Sequence, residues 1–364
     1  MFSDAWRNYK NILCIRLDNM GDVLMSQPAM RALKHSGLGR QITLLTSSTG
    51  ATIAPFIPEV DAIIPFDVPW VKTDEINGEQ QLLALADELR SRRFDAAVIF
   101  TSYSQNPLPA AMLCYQAGIK AVLGYCRENP YRLISHWIPD REPLDYIVHE
   151  VQRQLQLVET VGAATSDTNL TLRVPGESRQ TIRTRLAALR VGKDRPWLVL
   201  HAGVSEEKRC YPADEYISAC RSLIGQGYEI VLTGSSSEQG YVNNIARRLG
   251  DGAANLAGEL SISELMALIA AAPVLISNNT GPVHIAAAVG TPVVVLYAMT
   301  NPQHTPWKVS SRVLYFAVRA DLRTKNRLLQ AFPDVSGPQA SPLAITAAVN
   351  ELVRHASCEI ELRY

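Results

Sequence analysis

The chain has 364 residues, enough for two domains that each sustain a core of their own. Lysine plus arginine equals aspartate plus glutamate at 35 each, so no global field favours nucleic acid or another polyanion. The six cysteines, at 14, 114, 126, 210, 220 and 358, contain no C-x-x-C pair, which argues for reduced thiols and against a disulfide frame or zinc site.

The opening MFSDAWRNYK lacks the basic start and long apolar region of a signal peptide. No run approaches the roughly 18 apolar residues of a membrane span. A soluble, cytoplasmic protein is expected, with peripheral contact at the inner membrane left open. ILCIRL, residues 12–17, reads as the first strand, DNMG as a glycine-bearing turn, and Asp22 as the start of an amphipathic helix over 22–35. Strands at 41–46, 61–66, 95–100 and 119–123 then alternate with helices at 79–92, 107–117 and 149–162, the pattern of buried parallel strands joined by helices. Charge and turn residues rise over TSDTNLTLRVPGES, 165–178, and place a domain boundary there.

After a helix at 178–190, the second half runs WLVLHAG (197–203), EIVLTG (229–234), PVLISN (273–278) and PVVVLY (292–297) as strands. Helices fit at 212–225, 238–249, 261–271 and 281–289. The expected architecture is α/β, with two doubly wound Rossmann-like domains at 1–172 and 173–340. Such sheets bind ligands beyond the carboxyl ends of their strands, so a cleft between the domains is the expected active site. SPLAITAAVNELVRHA, at 341–356, is amphipathic, and the segment 341–364 is expected to pack back on the first domain.

Four stretches carry chemistry. In LISNNTGPVHIAAAVGTPVVVL, 275–296, a strand meets Asn279, Thr280 and Gly281 and then a helix, which points backbone N–H groups and a positive dipole end toward a diphosphate. The plainer reading is a helix start with Pro282 in its first turn; the two are compatible. His284, four residues past Thr280, shares that helix face, as a ligand-facing group or a packed histidine. Asp22 follows Gly21 where the first strand's turn becomes a helix, and it is either a base for an acceptor hydroxyl or a capping carboxylate. Asp18 is the competing base. HAGVSEEKRCYP, 201–212, sets Lys208 and Arg209 on a loop after a strand, as cations for a departing diphosphate or as a solvated pair. His201, ending that strand, reads as a structural hydrogen-bonding residue. Glu238 in EIVLTGSSSEQ is a candidate for ribose hydroxyls or a helix cap. Neither a G-x-G-x-x-G fingerprint nor a P-loop is present, which weighs against dinucleotide oxidoreduction and phosphoryl transfer.

Taken together, IRLDNMGDVLMSQPAMRALK, HAGVSEEKRCYP and SNNTGPVHIAAAVGTPVVVLYAMTNP resemble the ordered motifs of glycosyltransferase family 9, the ADP-heptose heptosyltransferases of lipopolysaccharide synthesis. The resemblance spans about residues 11 to 307. It implies the GT-B fold, with the two domains facing across a cleft, and inverting transfer that needs neither metal nor cofactor. An ADP-sugar would be the donor and a glycan or lipid-linked acceptor the partner, with no nucleic acid. The catalytic base of the family's MGD motif falls on Asp22, the phosphate-binding lysine on Lys208, and the ribose-binding acid on Glu238. The D-T-G phosphate turn falls on Asn279, Thr280 and Gly281, followed by His284. Leu260, in the GELS loop, corresponds to the residue whose main chain meets adenine; Gly21 completes the donor-binding set. This chain departs by reading N-T-G for D-T-G, and Ala298-Met299-Thr300 where the family has G-P-T. A nucleotide-sugar epimerase of the same architecture and a catalytically idle binding protein are the other readings, separated by whether turnover requires an acceptor.

Overall fold

The computed structural model describes residues 3–71, 78–204, 206, 209–298, 302–318 and 337–361. They divide into two compact units, Met1–Thr171 and Leu172–Tyr364.

The first unit holds β1 (Asn11–Arg16), β2 (Gln41–Thr46), β3 (Ala62–Pro65), β4 (Ala96–Ile99), β5 (Ala121–Cys126) and β6 (His136–Pro139). All pair in parallel, in the order β3-β2-β1-β4-β5-β6. Around them lie α1 (Ser3–Asn8), α2 (Met20–His35), α3 (Ser48–Ile53), α4 (Glu79–Ser91), α5 (Leu108–Gln116) and α6 (Glu150–Glu159). Helices on both faces bury the central strands on both sides, which is why NILCIR and AAVI are apolar runs rather than alternating ones.

The second unit repeats this order with β7 (Trp197–His201), β8 (Glu229–Thr233), β9 (Ala253–Asn255), β10 (Leu275–Asn278), β11 (Val293–Ala298) and β12 (Ser311–Phe316), arranged β12-β11-β10-β7-β8-β9. Its helices are α7 (Gly176–Ala188), α8 (Ala213–Gly225), α9 (Gln239–Leu249), α10 (Ile262–Ala271), α11 (Gly281–Val289) and α12 (Pro342–Glu361). In each sheet the winding reverses beside the first strand of the unit, between β1 and β4 and between β7 and β10. The loops leaving these strands border the crevice where doubly wound sheets bind ligands.

Three strands were not expected from sequence. β6 alternates half-buried and exposed residues, β9 is three residues long, and β12 is an edge strand with one buried residue, so none offers a long apolar run. The helix expected from residue 22 starts at Met20, with Asn19 as its cap. Ile345, Ala348, Val349 and Leu352 of α12 belong to the core of the second unit, together with Leu223 of α8, Leu296 of β11 and Leu314 of β12.

Candidate active site

At the carboxyl end of β1 the chain buries a full charge. Arg16 is wholly inaccessible, and three carboxylates surround its guanidinium. Nη1 donates to Glu150 Oε1 at 2.6 Å, Nε lies 2.7 Å from Asp18 Oδ2, and Nη2 stands 3.3 Å from Asp22 Oδ1. Burial opposes the Arg16 charge, but Glu150, Asp18 and Asp22 outweigh it and hold the group above its ordinary value. Burial likewise pushes Asp18 up to about 6, with Arg16 opposing and Asp22 adding to the rise. Gln105, from the loop after β4, donates to Asp18 Oδ1.

Asp22 is the third residue of α2. Its Oδ2 accepts the Asn19 backbone N–H at 3.2 Å, which gives it the reciprocal half of a capping box while Oδ1 faces Arg16. The capping and carboxylate-at-the-edge readings of Asp22 therefore hold together. Gly21 is buried beside it in the first turn. The cluster continues along α6. Gln154 donates to Glu150 Oε1 and to the Thr101 carbonyl, and Arg153 donates to that carbonyl and to Asp140 and Glu142.

In the second unit the corresponding edge is organised by Asn278, the last residue of β10 and fully buried. Its amide donates to the Ala202 carbonyl at 2.9 Å and accepts the Tyr211 N–H at 3.1 Å, so one side chain ties both ends of the loop that follows β7. Thr280 caps α11 in an extended conformation, and its hydroxyl turns back to the Asn278 carbonyl at 3.3 Å instead of onto the helix. Pro282 has no N–H to satisfy in the first turn. Asn279 is buried, hydrogen-bonded to Tyr297, and its Oδ1 has no partner among the described residues. Burial raises the Tyr297 phenol above its usual range, with Arg209 opposing, which brings Arg209 to the same corner. Arg209 also faces Glu206 at 3.5 Å. His284 is buried as the fourth residue of α11.

A second group gathers at the ends of β7 and β8. Glu238 closes a short 3-10 turn by accepting the Ser235 N–H at 2.7 Å. It lies against Gly203, where a Cβ would stand 2.2 Å from the carboxyl carbon, so that a larger residue there would displace the Glu238 carboxylate. His201 Nδ1 and Thr233 Oγ1 are 3.0 Å apart, and burial lowers the histidine's pKa despite Glu238 nearby. Gly258 donates to the Gly234 carbonyl at 2.9 Å, which joins the loop of half-buried Leu260 to the same edge. Lys208, Met299 and Thr300 lie outside the described residues.

Gly21 and Asp22 thus belong to the first unit's edge, and Glu238, Leu260, Asn279, Thr280, Gly281 and His284 to the second's. Sequence reasoning passed over Arg16, Glu150, Gly203, Asn278 and Tyr297. Two left a signal, a charge inside ILCIRL and an amide ending PVLISN, since a polar residue in a buried strand needs a partner. Among the described residues no group of His, Cys, Asp and Glu is arranged to hold a metal, and no helix is long and apolar enough to cross a membrane.

The model of glycosyltransferase family 9 (heptosyltransferase) matches residues 82–328. Lipopolysaccharide heptosyltransferase 2 of Escherichia coli (strain K12) is 27% identical over 310 residues, covering 81% of this chain and 84% of that protein. The structure of the glycosyl transferase family 9 from Veillonella parvula DSM 2008 matches with a TM-score of 0.77 at 18% identity, over 96% of this chain and 98% of that one. The E. coli heptosyltransferase WaaC with ADP-2-deoxy-2-fluoro heptose matches with a TM-score of 0.61 at 18% identity, over 83% and 92%. The fold is the one these enzymes share, and the chain belongs to glycosyltransferase family 9, the heptosyltransferases.

Proposed function

We propose that this chain transfers a heptose from ADP-heptose to a hydroxyl of the lipopolysaccharide core or a related glycan, with inversion and without a metal. The observation that carries the reading is Asp22, a carboxylate at the carboxyl edge of β1 fixed between the Asn19 N–H and Arg16. Its Oδ atoms are oriented before any substrate arrives, as a general base requires. The acceptor hydroxyl gives its proton to Asp22 while its oxygen attacks the anomeric carbon. The bond from that carbon to the diphosphate oxygen breaks, and the electron pair leaves with ADP. Attack from the face opposite the leaving group inverts the centre through an oxocarbenium-like transition state.

In this reading Lys208, the Thr280–Gly281 backbone and the positive end of α11 neutralise the departing diphosphate. Glu238 binds the ribose hydroxyls, Leu260 meets adenine through its main chain, and Asn279, His284 and Gly21 complete the donor contacts. The relative named a lipopolysaccharide heptosyltransferase and the neighbour solved with an ADP-heptose analogue support this donor class. The work is done in the cytoplasm, against the inner membrane where a lipid-linked acceptor is presented.

Asp22→Asn keeps the shape and removes the base. Turnover should fall about 10²- to 10⁴-fold, the usual share of general base catalysis, while ADP affinity stays near wild type. Turnover preserved in that variant overturns the assignment. The donor is read separately by thermal shift, since a ligand selective for the native state raises apparent stability. ADP-heptose should stabilise the protein more than UDP-, GDP- or other ADP-sugars do.

A further inference from the structure

We propose that Gly203 is a positioning residue for the donor: its missing side chain forms a seat that holds the Glu238 carboxylate where the ribose hydroxyls reach it. The inference rests on the reading of Glu238 as the ribose-binding acid. Gly203 is buried in the loop that leaves β7. A Cβ built on it would overlap the carboxyl carbon and both carboxylate oxygens of Glu238, and these are the nearest atoms it would meet outside the adjoining chain. The backbone itself does not call for glycine, because Gly203 is not among the residues with positive φ. The missing side chain therefore serves the contact and not the turn.

Neighbouring contacts fix the carboxylate on this seat. Its Oε2 accepts the Ser235 N–H at 2.7 Å. Gly234, just past β8, closes the other side, where an added Cβ would stand 3.4 Å from both Cβ and Oε2 of Glu238. Gln239, the first residue of α9, donates to the Ala257 carbonyl at 3.1 Å, and the Gly258 N–H donates to the Gly234 carbonyl at 2.9 Å. The seat is thus joined to the loop of Leu260, whose main chain meets adenine in the proposed reading, so a ribose attached to that adenine falls beside it. Hydroxyls donating to a charged acceptor make bonds about twice as strong as neutral ones, provided that the acceptor is held in place. A methyl group at 203 leaves the backbone as it is and turns the carboxylate away about its own side-chain bonds.

The test is a cycle of Gly203→Ala, Glu238→Ala and the double variant, each titrated calorimetrically with ADP and with 2′,3′-dideoxy-ADP, which lacks both ribose hydroxyls. The wild-type protein should bind ADP about 10- to 100-fold more tightly than the dideoxy compound, the range for hydrogen bonds to a charged group. Gly203→Ala should bring that ratio within about threefold by weakening ADP, with the dideoxy affinity within about twofold of wild type. In the Glu238→Ala background the same alanine should change neither affinity, since the group it displaces is gone. A role confined to folding or to the Ser235 cap moves both nucleotides alike. That result, a wild-type ratio in Gly203→Ala, or additive effects of the two substitutions overturns the proposal. Should Gly203→Ala fail to fold, Glu238→Asp asks the same question: its carboxylate, drawn off the seat by one methylene, should also collapse the ratio, and a wild-type ratio there overturns the seat. If the wild-type protein does not distinguish the two nucleotides, or Glu238→Ala keeps the wild-type ratio, the ribose-binding reading itself is wrong. If Glu238→Ala collapses the ratio and Gly203→Ala does not, only the positioning role fails.

Discussion

At the scale of single residues, the second unit's edge depends on an amide rather than on a charge. Asn278 holds the Ala202 carbonyl and the Tyr211 N–H together, and the loop between them carries Arg209. Removing the amide strands two buried backbone groups, each costing about 1–3 kcal/mol when unsatisfied. Asn278→Ala should therefore lose roughly 2–4 kcal/mol in urea denaturation. It should also raise the donor KM more than it lowers kcat, because Arg209 loses its placement while Asp22 keeps its own. Asn278→Asp retains the acceptor oxygen and loses the donor, so it should fall between the two. A wild-type KM in Asn278→Ala would show that the loop is placed by other contacts. Gly203 makes the complementary point, since the space it leaves is filled by the Glu238 carboxylate.

At the scale of elements, α12 belongs to the second unit's core. Ile345, Val349 and Leu352 are spaced at helical intervals and fully or almost fully buried. Leu352→Ala should cost about 2–5 kcal/mol, the range for a leucine removed from a close-packed core, with no direct effect on groups at the strand edge. Circular dichroism through a thermal melt reads this, and a melt unchanged from wild type would mean that α12 is not part of the cooperative core. The sequence made α12 legible as an amphipathic helix, because period 3.6 survives in composition alone, but it could not say which apolar surface the stripe covers. The same divide runs through the strands. β1, β2, β10 and β11 are continuous apolar runs and were readable, whereas β6, β9 and β12 gain their strand character from a neighbour's hydrogen bonds. The candidate residues at element junctions, Asp22, Glu238 and Thr280, were visible through local turn chemistry. Arg16 with Glu150, and Asn278 with Tyr211, were not, because partners 134 and 67 residues apart meet only once the sheet has formed.

At the scale of the whole molecule, balanced formal charge hides an uneven distribution, with ionised groups concentrated inside the first unit. Asp18 is where this bears on stability. Burial raises it from 3.8 to about 6, so the native state holds a proton that the unfolded chain has already released over that interval. A group raised in this way contributes stability that is complete below the unfolded value and is lost as pH rises through the folded one. His201 acts in the opposite direction: burial lowers it from 6.5, so its contribution is lost as the medium is acidified below that value. The wild-type curve mixes the two, but a difference curve isolates Asp18. The stability of Asp18→Asn relative to wild type should climb as pH rises from about 4 to about 6 and then level off, by on the order of 2 kcal/mol. Urea titrations of both proteins across that window measure it. A flat difference would mean that Arg16 and Gln105 compensate the buried charge completely, and that Asp18 is ionised in the folded protein at the same pH as in the unfolded chain.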